Sequence, residues 1–390
     1  MPHIKPDIES FARIKVVGVG GSGKNAVNHM IRSKVRGVEF IAVNTDAQDL
    51  HQSLAHKKIR IGKGVTKGLG TGMNPDLGRQ AAEETKDEIH EVLKGADMVF
   101  ITCGMGGGTG TGGAPVVAHA AKAQGALAIG VVTKPFAFEG MERARIAEGG
   151  LIKLREAVDA LIVIPNDKLL SVVTKDTPFL SAFAMCDEVL RHAVEGISDL
   201  ITIPGIINVD FADVRAVMQS AGSALMGIGH GHGEARAEEA ARAAISSPLL
   251  DISINGARGV LFAVAGGADL TMWEINEAAK IITSSVDQDA RIIFGAIHDE
   301  RLKKGDVRIT VIASGFPDDH IGKTATLFGP SAGPAGLPKS SFTPKTASSS
   351  TPIVGGGQNI NGVKKPENGA NGQEESEWDS IPAFIRRQRK

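Results

Sequence analysis

Short apolar runs alternate with helical periodicity through the first half of the chain. The stretches IKVVGV (14–19), VEFIAVNTD (38–46), ADMVFITCG (96–104), LAIGVVTKP (127–135) and DALIVIPND (159–167) are rich in β-branched residues and read as buried strands. Between them, 25–34 places Ala26, Met30 and Ile31 at helical spacing, and 113–124 and 141–158 read as further helices. Continuous apolar strands separated by helices predict a parallel sheet covered on both faces, a doubly wound α/β domain. Residues 178–205 then predict one helix of about 25 residues, opened by Pro178 and stopped by Pro204-Gly205, a spine between two domains. Past Ile206 the texture changes. Helix patterns at 211–221, 234–245 and 271–285 mix with strand patterns at 223–229, 259–266, 290–297 and 307–314, a smaller α+β domain.

After residue 317 the periodicity stops. Gly, Pro, Ser, Thr and Asn dominate 318–375, which reads as a disordered linker because few apolar groups offset the ordering entropy. In the last fifteen residues Trp378, Ile381, Phe384 and Ile385 restore apolar character before the cationic RRQRK, so 376–390 reads as a tethered docking peptide. The expected layout is a flexible extension (1–12), an α/β domain (13–177), the long helix (178–205), the α+β domain (206–317), the linker and the peptide. Lys+Arg 43 against Asp+Glu 44 leaves a net charge of −1, which gives no general argument for a nucleic-acid partner. Cys103 and Cys186 are the only cysteines, too few for a disulfide framework. The N-terminus lacks a signal-peptide pattern and no run is long and apolar enough to span a membrane, so a cytoplasmic location is expected.

Candidate chemistry sits in two glycine-rich loops. In VVGVGGSGKNAVN (16–28), Gly18-x-Gly20-x-x-Gly23 fits a dinucleotide fingerprint, with Asp46 about 20 residues on where a ribose-binding acid sits. The same stretch half-fits a phosphate loop, but Asn25 stands where a Mg²⁺-binding hydroxyl belongs, and Lys24 is read there as a solvated side chain. A tight strand-to-helix turn is the plain alternative. The second loop, CGMGGGTGTGGAP (103–115), almost lacks Cβ atoms, follows a buried strand and opens a helix, so it too can present backbone N–H groups to an anion. Two such loops on one sheet suggest a polyphosphate held from both sides. A nicotinamide-dependent oxidoreductase, the other reading, leaves the second loop and the tail without purpose. His230 and His232 in GHGHG (229–233) read as a loop rather than a metal site.

GGGTGTG (106–112), with GVGGSGKNAVN (18–28), NTDAQDL (44–50), TKPFAFEG (133–140) and NVDFADV (208–214), resembles the signature set of the tubulin/FtsZ superfamily, and within it the FtsZ-type bacterial cell-division GTPases. The resemblance covers about residues 10–317 and returns at SIPAFIRRQ in the tail. One departure is visible: Ser22 and Lys24 intrude where many relatives have glycine. The resemblance implies a tubulin-like fold and a polymerisation-dependent GTPase assembling head-to-tail into filaments of the division ring beneath the inner membrane. It also implies GTP/GDP as ligand with Mg²⁺, and membrane-tethering division proteins as partners of 376–390.

Carried over residue by residue, the resemblance assigns Gly20, Gly21, Ser22, Gly23, Lys24 and Asn25 to the nucleotide from the first loop. Gly104, Gly107, Gly108, Thr109 and Gly110 hold phosphates from the second. Glu139 and Arg143 contact ribose and phosphate, although their i,i+4 spacing equally fits a helix-surface ion pair. Asn166 and Asp187 read the guanine edge and Phe183 stacks on the ring, where plain core packing is the alternative for Phe183. Asn208, Asp210 and Asp213 polarise the attacking water from the next subunit. From spacing alone, Asp210 and Asp213 read as a helix N-cap and a first-turn acid.

Overall fold

The computed structural model describes residues 12–170, 178–203, 205–247, 254–299 and 301–316. The linker and docking peptide expected at 318–375 and 376–390 lie outside these residues, as do Pro204 and most of the N-terminal extension. In chain order the elements of the first half are β1 (Ile14–Val19), α1 (Gly20–Arg32), β2 (Val38–Asn44), α2 (Ala47–His51), β3 (Lys57–Arg60), α3 (Pro75–Glu84), α4 (Lys86–Leu93), β4 (Met98–Gly104), α5 (Thr109–Ala123), β5 (Leu127–Lys134), α6 (Met141–Ala157), β6 (Ala160–Pro165) and α7 (Asn166–Leu170). Next come the long helix α8 (Phe179–Thr202), α9 (Phe211–Met218), β7 (Gly222–His232), α10 (Arg236–Ile245), β8 (Gly259–Gly266), α11 (Met272–Thr283), β9 (Arg291–His298) and β10 (Asp306–Ser314).

The strands form one sheet in the order β3-β2-β1-β4-β5-β6-β7-β10-β8-β9. The first six run parallel in the doubly wound order 3-2-1-4-5-6, whose chain direction across the sheet reverses between β1 and β4. β7 joins β6 in parallel over only three residue pairs, Ala160–Ile162 against Gly222–Ala224, before turning into the antiparallel β7-β10-β8 layer. The central strands are buried end to end, as strands covered on both faces must be. One core lies between the sheet and α1 and α8, around Met30, Phe100, Val194 and Ile197. A second lies under α4, α5 and α6, around Ile101, Val117 and Leu154. A third, around Phe262, Ala240 and Ile282, joins α10 and α11 to the antiparallel strands.

Three sequence expectations change. Both glycine tracts are helix starts rather than loops: α1 begins at Gly20, five residues before the expected start, and α5 at Thr109, four before. Second, the region between 46 and 96, to which the sequence reading assigned no element, holds α2, α3, α4 and β3; Asp46 and Asn74 cap the first two through their side chains. Third, GHGHG is not a loop. His230 and His232 lie within β7, whose alternation is the period of a strand. Cβ atoms on Gly227, Gly229 and Gly231 would collide with the carbonyl oxygens of Ala244, Ala240 and Arg236, so every second residue is glycine because α10 lies directly on the strand. A Gly229→Ala substitution is therefore expected to cost about 1–3 kcal/mol of unfolding free energy, read as a lower urea midpoint.

Candidate functional site

The two glycine tracts meet at the carboxyl ends of β1 and β4, the neighbouring strands that flank the reversal, where an open α/β sheet forms a crevice. Gly20 takes φ +74°, a left-handed conformation that suits glycine and turns the chain from β1 into α1. A Cβ there would stand 3.0 Å from the Gly110 nitrogen, and one on Gly104 would stand 2.6 Å from Ser22 Oγ, so the tracts are packed against each other. Gly23 closes on the Thr102 carbonyl, and Gly108 on Thr71 and Asn74. These glycines are required by packing. Gly107 and Gly21 are not: neither has positive φ, and an added Cβ would meet nothing within 4 Å at Gly107 and only Asp49 Oδ2, at 3.6 Å, beside Gly21. Glycine at these two positions leaves room for close approach of something other than this chain.

Neither α1 nor α5 has a side-chain cap, so their first N–H groups are free to serve an anion. Thr109 is buried, and its hydroxyl is joined to those of Thr45 (2.9 Å) and Thr71 (3.2 Å), fixing the start of α5. Asn25 is half-buried on α1, on the same helix start. Lys24 is not solvated. Its ammonium donates to Asp49 Oδ1 at 2.8 Å, with the lysine side chain 7% exposed. Asp46, the residue required by the dinucleotide reading, accepts from the Gln48 and Asp49 amides as the cap of α2. Its carboxylate is engaged in local structure, which weakens that reading.

On the other side of the crevice, Glu139 closes a short 3-10 turn (Ala137–Glu139) and receives a hydrogen bond from Arg143 Nη1 at 2.9 Å. Arg143 leans on the second tract, 2.6 Å from where a Gly106 Cβ would stand. The helical pair and the proximity to the glycine tract are thus both present. Phe183 packs edge-on against Phe136 at 5.3 Å, just beyond the carboxyl end of β5. Asn166 is buried at the end of β6, and its Oδ1 has no hydrogen-bond partner among the described residues. Asp187 is half-buried on α8, and burial pushes its carboxyl up to about 7, with His29 opposing.

α8 is held in place by charge as well as apolar contact. Glu188 accepts from His29 of α1 at 2.8 Å and pairs with Arg191; hydrogen bonds from His192 and Arg191 hold its carboxyl well below the usual range. Buried Glu195 pairs with Arg191 and, across to the second half, with Arg301. This network did not emerge from the sequence, because its members are dispersed over 29, 188–195 and 301.

Asn208, Asp210 and Asp213 stand elsewhere. Asn208 Oδ1 accepts from the Gly205 amide, Asp210 caps α9 by accepting from Ala212, and Asp213 is exposed in the first turn. The capping geometry is real. It also lies at the opposite end of the strands from the glycine tracts. Thr202, at the end of α8, packs on Gly37 before β2; Arg215 of α9 donates to the Gly125 carbonyl before β5; and the Gly222 amide donates to Asp159 before β6. All three contacts are at the amino ends of strands. The start of α8 lies at their carboxyl ends, and a helix of 24 residues spans about 36 Å.

Comparison with known proteins identifies the family. Residues 13–174 match the Tubulin/FtsZ family GTPase domain, and 222–317 match the FtsZ family C-terminal domain. An FtsZ dimer of M. jannaschii is 48% identical, covers 79% of this chain and 89% of its own, and superposes with a TM-score of 0.76. The chain belongs to the FtsZ family of tubulin-like proteins. Membership makes it a GTP-binding and GTP-hydrolysing cytoskeletal protein that forms polymers, and the oxidoreductase alternative finds no support. Two Haloferax volcanii proteins, a GTPγS-bound protofilament of CetZ2 and a GDP-bound monomer of CetZ1, share the fold at 21% and 23% identity, with TM-scores of 0.66 and 0.67. They cover 80% and 78% of this chain and 100% and 95% of their own. Among the described residues no helix is long and apolar enough to cross a membrane.

Proposed function

We propose that this protein hydrolyses GTP only where two copies meet head to tail, the nucleotide held by one and the water positioned by Asn208, Asp210 and Asp213 of the next. The separation along α8 supports this reading most directly. A subunit's own aspartates follow the end of α8, at the amino ends of the strands, whereas its glycine tracts lie at the carboxyl ends with the start of α8. The helix between those two ends is about 36 Å long, so the two sets face opposite ways and do not serve the same nucleotide. In the proposed site the N–H groups at Gly20–Gly23 and Gly107–Gly110 receive the phosphates, with Ser22, Asn25 and Thr109 beside them. Glu139 and Arg143 meet the ribose and α-phosphate side. Asn166 Oδ1 and the Asp187 carboxylate accept from guanine's amino and imino groups, while Phe183 faces the ring.

Phosphoryl transfer depends chiefly on position and charge. Asp210 and Asp213 orient and polarise water but bring negative charge toward a triphosphate. Mg²⁺ carried by the phosphates would neutralise that charge. Large apolar side chains are exposed on both ends: Leu69, Phe138 and Met141 near the nucleotide tracts, and Ile206 beside Asn208. A head-to-tail contact would cover them and generates open filaments.

Turnover per subunit is expected to rise from near zero above a threshold protein concentration, with filaments visible by electron microscopy in GTP and lost in GDP. Constant turnover per subunit down to high dilution would exclude the shared site. Residues 376–390 are proposed to bind a membrane-tethering division protein, placing the filaments in a division ring at the inner face of the membrane. Removing them should preserve assembly in solution and abolish tether binding.

A further inference from the structure

Lys24 is the side chain that the proposed reaction leaves unused, and its surroundings are specific. It lies one turn into α1, buried, with its ammonium 2.8 Å from Asp49 Oδ1. The other oxygen of Asp49 accepts from Asn44 Nδ2 at 2.8 Å and stands 3.6 Å from where a Cβ on Gly21 would be. A carboxylate from α2 thus reaches the glycine turn that begins α1. That turn carries no acidic side chain of its own. Unpaired, Asp49 would oppose an anion there, because like charges in a partly desolvated site interact far more strongly than in water.

We infer that Lys24 sets nucleotide affinity through Asp49: the buried ion pair masks a carboxylate that would otherwise repel the phosphates at the Gly20–Gly23 turn. The inference rests on the proposed placement of phosphate at that turn. Lys24 is a positioning and charge-masking residue, not a phosphate ligand, since its ammonium is directed to Asp49. The pair also fastens α2 to α1, but that structural role does not depend on the ligand's charge, whereas masking does.

The test uses the full chain and three ligands of decreasing charge, GTP, GDP and guanosine. Lys24→Met is expected to raise Kd for GTP roughly tenfold, to raise it less for GDP, and to leave guanosine unchanged. Adding Asp49→Asn to Lys24→Met removes the exposed carboxylate and should return GTP affinity to within about threefold of the parent. Asp49→Asn alone leaves Lys24 unmasked and should tighten GTP more than GDP, an arm that stands even if Lys24→Met folds poorly. Equal losses for all three ligands, failure of the double variant to recover, or an Asp49→Asn protein with unchanged GTP affinity would each overturn the inference. A parent protein that binds GDP no more tightly than guanosine would instead overturn the placement of phosphate at the turn.

Discussion

An Asp213→Ala protein is expected to bind GTP as the parent does and to hydrolyse it at least about a hundredfold more slowly. The side chain is exposed in the first turn of α9. It caps nothing, that role belonging to Asp210, so its removal should spare the fold. It lies beyond the far end of α8 from the glycine tracts, so nucleotide binding to the same subunit should not sense the change. The shared-site geometry adds a sharper expectation. Mixed with an Asp187→Ala protein, at GTP too dilute for the latter to bind, Asp213→Ala subunits supply bound nucleotide and the others supply an intact Asp213. Phosphate release should recover in the mixture beyond the sum of the two proteins alone. No recovery would place hydrolysis within one subunit. Parallel loss of GTP affinity in Asp213→Ala would move that residue into the binding pocket.

The second large effect is at Asp187. Charge-assisted hydrogen bonds are worth about 1.5–3 kcal/mol each, so Asp187→Ala should raise Kd for GTP about a hundredfold and remove most discrimination against ATP. The pH dependence follows from burial. The Asp187 carboxyl titrates at about 7 in the folded protein against an ordinary value of 3.8. The folded chain therefore holds this proton more tightly than the unfolded chain, and the associated stability is full below about pH 4 and lost between about 4 and 7. In the proposed contact guanine's donors require the ionised form, so guanosine, which has no phosphate to titrate, should bind more weakly below pH 7, by up to tenfold per unit. Binding near neutral pH should release a proton, seen as a buffer-dependent heat in calorimetry. Asp187→Asn should abolish both effects; a slope that persists would assign the proton elsewhere.

The strands were readable because sheets covered on both faces demand unbroken apolar runs, and each of the five runs in the first half became a strand. The glycine tracts announced anion binding but not helix starts, because glycine's poor helix propensity hides a turn fixed by packing of one tract on the other. Lys24 looked solvated because nothing in its neighbourhood pointed to Asp49, 25 residues away. GHGHG misled for a similar reason: its glycines answer to the backbone of α10, a partner no local pattern reveals. Asp210 and Asp213 gave a correct local structure, a capped helix start. Only the length of α8 separates that from the chemistry proposed for them.

That length also gives an assembled chain of subunits unequal ends. In the head-to-tail assembly proposed above, one terminal subunit would present bound nucleotide with no aspartates opposite it, and the other aspartates with nothing to act on. Each filament would then hold one complete site fewer than it has members, and two subunits would be the smallest hydrolytic unit. Under the proposed shared site, the nucleotide at the uncovered end would keep its γ-phosphate until the next arrival, so growth itself would start the clock for the subunit it buries.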